Sequence, residues 1–267
     1  MGRFRLALEP NNPGNPHTNH NVPNDPYLDA SVHWKVRSGN ATLHEPRYSE
    51  VADAILDSGL ATSVLQQIGS GKEAGVFACL NGEHLIAVKS YRFYQSSHRG
   101  GRPIKQESMG RLASQELELL TQAWCGGARV PRPGRRVENM FSMQYLGSPE
   151  GPAPRLIDVG VEAPAEFLDE LLASTRKLAD AGVVHSDLSP FNILVHEELP
   201  WFIDMGQGVR VDRIGMSPWV RLTQAGDALR RGFKTYDRYF RKYGLRVDVD
   251  GEVAAIVTRL DRFGVLR

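Results

Sequence analysis

The chain has 267 residues and a mass of 29.7 kDa, with 41% apolar and 24% charged residues. That is enough apolar content for a real core, which excludes a disordered or low-complexity protein. Two cysteines, Cys79 and Cys125, exclude a disulfide scaffold, and no Cys/His cluster at zinc spacing accompanies them. No apolar run approaches the roughly 18 residues of a membrane span, and the opening MGRFRLALEP has too short an apolar stretch for a secretory signal. The expectation is a cytoplasmic protein with no membrane partner. The net charge of +1 conceals two blocks: residues 89–136 and 210–246 each hold ten Lys/Arg against three acids, leaving −13 for the remainder. Such segments form either a solvated face or a surface that holds a polyanion.

In chain order, residues 10–26 contain five Pro and six Asn, which predicts an extended arm without regular structure. Val51, Ile55 and Leu60 mark a short amphipathic helix ending near Gly59. Residues 64–94 alternate glycine turns with β-favouring stretches and predict a three-strand antiparallel meander turning at Asn81-Gly82. A helix follows over 107–123, then a strand pair over RRVEN and FSMQYLG. The second half reads as mostly helical. Pro164 opens a helix with the stripe Phe167, Leu168, Leu171, Leu172 and Leu178, capped at Gly182. Short strands frame HSDLSPFNILV and PWFIDMG. Ser217-Pro218 opens a long helix carrying Leu222, Leu229, Phe233, Tyr236, Phe240 and Tyr243, and 250–263 forms a last one. The domain reading is an arm over 1–46, a small sheet-and-helix lobe over 47–146 and a helical lobe over 147–267.

Three stretches carry chemistry. Gly69-Ser70-Gly71-Lys72-Glu73-Ala74-Gly75-Val76 is a glycine-rich turn between strands, where the missing Cβ atoms let backbone amides approach phosphate oxygens. It lacks the Gly-Lys-Ser/Thr ending of a Walker loop, and a plain hairpin would show the same glycines. Ile86-Ala87-Val88-Lys89 ends an apolar strand on a lysine, which needs a counter-charge if it is buried. Glu116 on the following helix is the expected partner, with Glu118 less suited because it faces another side. The third stretch is His185-Ser186-Asp187-Leu188-Ser189-Pro190-Phe191-Asn192, with Asp204-Met205-Gly206 beginning seventeen residues after Asp187. Asp187 suits a base beside an attacking hydroxyl, and Asn192 with Asp204 suits a hard cation that bridges phosphates. His185 reads as a structural residue that bonds the loop backbone.

Loop, lysine, Asp-Asn pair and second Asp occur in protein-kinase order. The strings SGKEAGVF, IAVKSY, HSDLSPFNIL and FIDMGQGV resemble the RIO family of atypical serine/threonine protein kinases over about residues 47–245. Within that resemblance Lys72-Glu73-Ala74 is a family-like feature, and Ser189 replaces the lysine of ordinary protein kinases. The segment QGVRVDRIGMSP after Gly206 leaves no room for a conventional activation segment. Ala74 stands where a third loop glycine is usual, and Met205-Gly206 departs from the family's Ser-Gln. The absence of an obvious winged-helix region before residue 47 argues against the subgroup of the family that carries one, and the divergence of these strings points to a prokaryotic branch.

The resemblance implies an α+β, two-lobed protein-kinase-like fold with ATP and magnesium (or manganese) bound between the lobes. Lys89 would hold the phosphates, with Val76 over the adenine. Met143-Gln144-Tyr145-Leu146-Gly147 would form the hinge, adenine bonding backbone atoms of Gln144 and Leu146 with Met143 behind it. Asn192 and Asp204 would hold the metal, Asp187 would act as base, and Asp204 would also accept phosphate. A role in small ribosomal subunit maturation is implied, and the basic segments fit an RNA partner. Two alternatives are a small-molecule phosphotransferase of the aminoglycoside or choline type, disfavoured by the basic second lobe, and a nucleotide-gated module that binds a ribonucleoprotein.

Overall fold

The computed structural model of the chain describes residues 34, 43–44, 46–71, 73–92, 95–96, 107–211 and 218–261. Most of the Pro/Asn-rich arm, Lys72 and residues 212–217 lie outside the described residues.

Helix α1 spans Tyr48–Asp57 and buries Val51 and Ile55. Strands β1 (Ser63–Ser70), β2 (Ala74–Asn81) and β3 (His84–Tyr91) form the expected meander. Helix α2 covers Glu107–Cys125, and β4 (Pro133–Val137) and β5 (Met140–Gln144) complete the small lobe. The sheet has the order β1-β2-β3-β5-β4, with every neighbour antiparallel. The β4–β5 turn places Glu138 at φ 51.

The two faces of this sheet separate cleanly, because successive side chains of a strand point to opposite sides. Phe77, Cys79 and Val88 pack with Val51, Ile55 and Met140 in one cluster. Ala74 and Tyr91 join Met109, Ala113, Leu119 and Leu120 of α2 in the main core. Burial pushes the Cys79 thiol up to about 12, so this cysteine is an inert core residue. A feature absent from the sequence pattern is a two-residue antiparallel pairing of Leu43–His44 with Gln95–Ser96. It ties the end of the arm region to the small lobe.

The second lobe rests on α3 (Pro164–Asp180), α4 (Pro218–Phe240) and α5 (Val249–Asp261). Pro164 is at the first turn of α3, where its missing N–H is no loss, and Gly182 follows the C-terminus at φ +72. Phe233, Tyr236 and Phe240, spaced three and four apart on α4, are fully buried. On the same face, Gly232 lets the helix touch the loop of the third motif: a Cβ there would lie 2.5 Å from Leu188 Cβ. Salt bridges staple α5 to its neighbours: Arg176 to Glu252 and Asp180 to Arg259, the latter at 3.0 Å, from α3, and Arg230 to Asp250 from α4.

Candidate active site between the lobes

A cleft of about 720 Å3 lies where the predicted motifs meet. Its small-lobe wall is Gly69, Ser70, Gly71, Val76, Ala87 and Lys89, its back is Met143, Gln144 and Leu146, and its large-lobe wall includes Asn192, Ile203 and Asp204. The glycine turn is closed by Gly71 N–H donating to the Ala74 carbonyl at 2.9 Å. Arg92 braces it from the end of β3: its guanidinium donates to the Gly71 carbonyl at 3.0 Å and its N–H to the Glu73 carbonyl at 2.8 Å.

Lys89 sits opposite Val76 on β2 and Phe141 on β5, on the sheet face that looks toward α2. Its Nζ lies 2.7 Å from both carboxylate oxygens of Glu116 and 2.9 Å from Asp204 Oδ1. Lys89 and Glu116 are only 8% and 3% exposed. Burial alone would lower the lysine pKa, but the two carboxylates outweigh it and hold the ammonium above its ordinary value. Glu116 is thus the partner that the helix pattern selects, whereas Glu118 turns away and pairs with Arg210 at 3.6 Å. Tyr91 donates its hydroxyl to Glu116 Oε2 at 2.5 Å. In the sequence the only signal for this tyrosine is its two-residue offset from Lys89, which puts both side chains on one sheet face.

Asp204 follows β8 (Leu199–Phe202 once the short strands β6, Val183–Val184, and β7, Ile193–His196, are numbered). Its backbone is left-handed, φ 62 and ψ 61, a conformation Asp tolerates better than most side chains. The side chain is 57% exposed to the cleft. Burial of part of the group opposes ionisation, but Lys89 prevails and lowers the Asp204 pKa below its ordinary value.

The His185–Asn192 loop is held to this turn by backbone and side-chain bonds. His185 is fully enclosed; its Nε2 is 2.9 Å from the Ile203 carbonyl, and its Nδ1 accepts the Asp187 N–H at 3.2 Å. These partners assign the proton to Nε2, and desolvation lowers the ring's pKa, so the imidazole is a neutral strut. Ile203 N–H donates to the Asn192 carbonyl at 3.0 Å. The Asn192 amide nitrogen donates to Asp187 Oδ2 at 2.8 Å and to the Asp187 carbonyl at 3.1 Å, which turns its Oδ1 away from Asp187 and leaves it as an acceptor. Asn192 lines the cleft, and Asp187, exposed beside it, is held in place by the amide it faces.

At the hinge, Gln144 N–H donates to the Arg132 carbonyl at 2.8 Å, while the Arg132 N–H goes to the Gln144 side-chain oxygen at 3.2 Å and not to its carbonyl. The Leu146 carbonyl accepts from Ala153 N–H at 2.9 Å. Gln144 and Leu146 both line the back of the cleft.

The cleft mouth holds a group that the sequence reading did not identify. Arg155 donates to Asp158 Oδ2 at 2.7 Å and stacks 5.6 Å from the centroid of Phe191, which is 55% exposed. The ion pair is local, three residues apart, but the stack joins residues distant in the chain and no local spacing announces it.

Among the described residues no group of three or more His, Cys, Asp or Glu side chains could hold a metal ion by itself. The Asn192 amide oxygen and the Asp204 carboxylate are hard oxygen donors suited to magnesium, with the remaining ligands to come from phosphate oxygens and water. Among the same residues no helix is long and apolar enough to cross a membrane.

A small antiparallel sheet with one packed helix, a helical second lobe and a cleft between them holding a lysine-glutamate pair and an Asp-Gly turn define a protein-kinase-like fold. The sequence profile of the RIO domain matches residues 81–251, and the chain belongs to that family. Among its relatives, the RIO-type serine/threonine-protein kinase Rio1 of Haloferax volcanii is 33% identical over 199 residues, covering 69% of this chain and 65% of the relative. The Serine/threonine-protein kinase RIO1 of Caenorhabditis elegans is 25% identical over 236 residues, covering 80% of this chain and 44% of the relative. The chain thus spans less than two thirds of the length of these two relatives. The fold matches that of the Rio2 kinase from Chaetomium thermophilum, solved as an ADP/Mg2+-phosphoaspartate complex, with a TM-score of 0.59 at 19% identity over 87% of this chain and 78% of that one.

Proposed function

We propose that the chain is an ATP-dependent phosphotransferase of the serine/threonine protein kinase and ATPase type. The observation that carries this reading is Lys89 held between Glu116 and Asp204 in a cleft whose facing wall presents Asn192. The Lys89 ammonium serves the α and β phosphates, and the glycine turn lies along the phosphate chain. Adenine lies between Val76, Ala87 and Leu146, with Met143 behind it and the Gln144 carbonyl and Leu146 N–H as its backbone partners. Asn192 and Asp204 hold magnesium, which when bound supplies neutralisation of the phosphate charge. Asp187 takes the proton of the acceptor hydroxyl and Asn192 keeps its carboxylate oriented. The family names carried by the relatives above support the same class.

Asp204 has a second role in this reading. One of its oxygens attacks the γ-phosphorus, the bond to the β–γ bridging oxygen breaks and ADP leaves, giving an aspartyl-phosphate that water then hydrolyses. Protein labelled from γ-phosphate-labelled ATP and quenched in acid is expected to carry hydroxylamine-labile label that Asp204→Asn lacks. Label stable to hydroxylamine, on Ser or Thr alone, overturns this step and leaves the kinase reading in place.

The basic segments support an anionic partner such as RNA or a small ribosomal subunit. Part of their charge is neutralised internally, Arg241 and Arg246 on Asp237 and Arg230 on Asp250. Arg231, Lys234 and Arg238 are exposed, recur on one face of α4 and have no acidic partner among the described residues. Binding of a structured RNA is expected to weaken steeply between low and high salt, and salt-independent binding contradicts this partner.

A further inference from the structure

Lys89 and Tyr91 leave the same face of β3, and Glu116 reaches both from α2. Tyr91 is 2% exposed, so the hydroxyl that it donates to Glu116 Oε2 is shielded from water. The turn after Asp204 closes the fourth side. A Cβ at Gly206 would stand 3.0 Å from the Tyr91 hydroxyl and 3.4 Å from Glu116 Oε2, so this glycine is packed directly on the contact. The chain of contacts therefore runs from Tyr91 through Glu116 and Lys89 to Asp204, crossing from one lobe to the other.

Resting on the phosphotransferase reading above, we propose that Tyr91 is a positioning residue for phosphoryl transfer: its hydroxyl fixes the Glu116 carboxylate, and through it holds Lys89 level with Asp204. A carboxylate at the end of a glutamate side chain turns freely about its last torsion, where the rotamer wells are broad. Lys89 meets both oxygens at 2.7 Å but from the end of a flexible four-carbon stem, so it does not by itself fix the carboxylate. A donor fixed on a buried ring does remove it, and it also answers a lone pair that burial would leave without water. The ring of Tyr91 would fill the core equally well as phenylalanine. The oxygen is what serves the site.

The test uses the full chain as Tyr91→Phe, Glu116→Gln and the double variant, with magnesium-ATP hydrolysis, the KM for ATP and thermal melting measured for each. Tyr91→Phe is expected to lower kcat by roughly tenfold while the KM changes by less than about threefold, and the double variant is expected to be no slower than Glu116→Gln alone. Acylation of Lys89 in the nucleotide-free protein, read by peptide mass spectrometry, is expected to rise several-fold in Tyr91→Phe. Wild-type kcat with wild-type Lys89 labelling, or effects that multiply in the double variant, overturns the proposal. Gly206→Ala supplies a second route: it is expected to cost less activity in the Tyr91→Phe background than in the parent, and an equal cost contradicts the clamp. A parent chain without ATP turnover whose Lys89 labelling still rises in Tyr91→Phe refutes the phosphotransferase reading while supporting the clamp.

Discussion

Lys89 Nζ and Asp204 Oδ1 are 2.9 Å apart although 115 residues separate them in the chain. This contact joins the small-lobe sheet to the turn that ends the third motif, and it links the two charges that a bound nucleotide would have to share. Because Lys89 also answers the buried Glu116, removing its charge leaves a carboxylate without its cation. Lys89→Met is expected to reduce ATP turnover by at least about a hundredfold and to cost on the order of 3 kcal/mol of stability. Steady-state hydrolysis and denaturant unfolding check the two effects separately.

Gly232 and Leu188 set the height of the Asp187 loop above α4. A methyl group at residue 232 would meet Leu188 Cβ at 2.5 Å, and neither the helix backbone nor the enclosed leucine has room to yield. Gly232→Ala is expected to destabilise the fold by about 1–3 kcal/mol and to lower kcat more than it changes the KM for ATP. Gly226→Ala on the same helix, where nothing lies within 4 Å, serves as the control and is expected to be neutral or slightly stabilising.

His185 should make stability depend on pH. Its folded-state pKa is depressed from an ordinary value of 6.5, chiefly by burial, so the unfolded chain binds the proton more readily than the folded one. The stability this neutral ring contributes is fully present above pH 6.5 and is lost as pH falls through the folded value. Melting temperatures are expected to decline below pH 6.5 in the parent, and more shallowly in His185→Gln. An equal slope in both proteins contradicts the assignment.

Arg92 carries the shape of the glycine turn. With the guanidinium bond to the Gly71 carbonyl removed, the turn keeps its own Gly71–Ala74 closure and the backbone Arg92 N–H bond to Glu73 but loses its side-chain brace. Arg92→Ala is expected to raise the KM for ATP by about three- to tenfold with little change in melting temperature, as measured by nucleotide titration and thermal scanning.

Much of this architecture is legible in the chain because the signals are local. Period-two runs bounded by Gly69, Gly71 and Gly82 mark the meander, and Pro164 and Gly182 bracket one helix to within a residue or two. The three charged motifs announce themselves by residue type and spacing. What escapes is set by tertiary packing. Tyr91 is one more apolar residue in a strand until α2 brings Glu116 onto its hydroxyl. Asp187 and Asn192 are tied by a side-chain bond across the loop, which spacing alone does not show. The Leu43–Gln95 pairing and the Arg155–Phe191 stack likewise depend on where distant segments come to rest. The choice between Glu116 and Glu118 was legible, since helical phase alone directs one of them to β3 and the other toward Arg210.

The central claim, that this cleft performs phosphoryl transfer from ATP through Asp204 and Lys89, is tested most directly by magnesium-dependent ATP turnover in the full chain and its Asp204→Asn variant. Asp204 is more than half exposed, so the variant is expected to fold with a melting temperature close to that of the parent. The expected result is phosphate release by the parent that falls at least about a hundredfold in Asp204→Asn. Turnover of equal rate in the two folded proteins contradicts it.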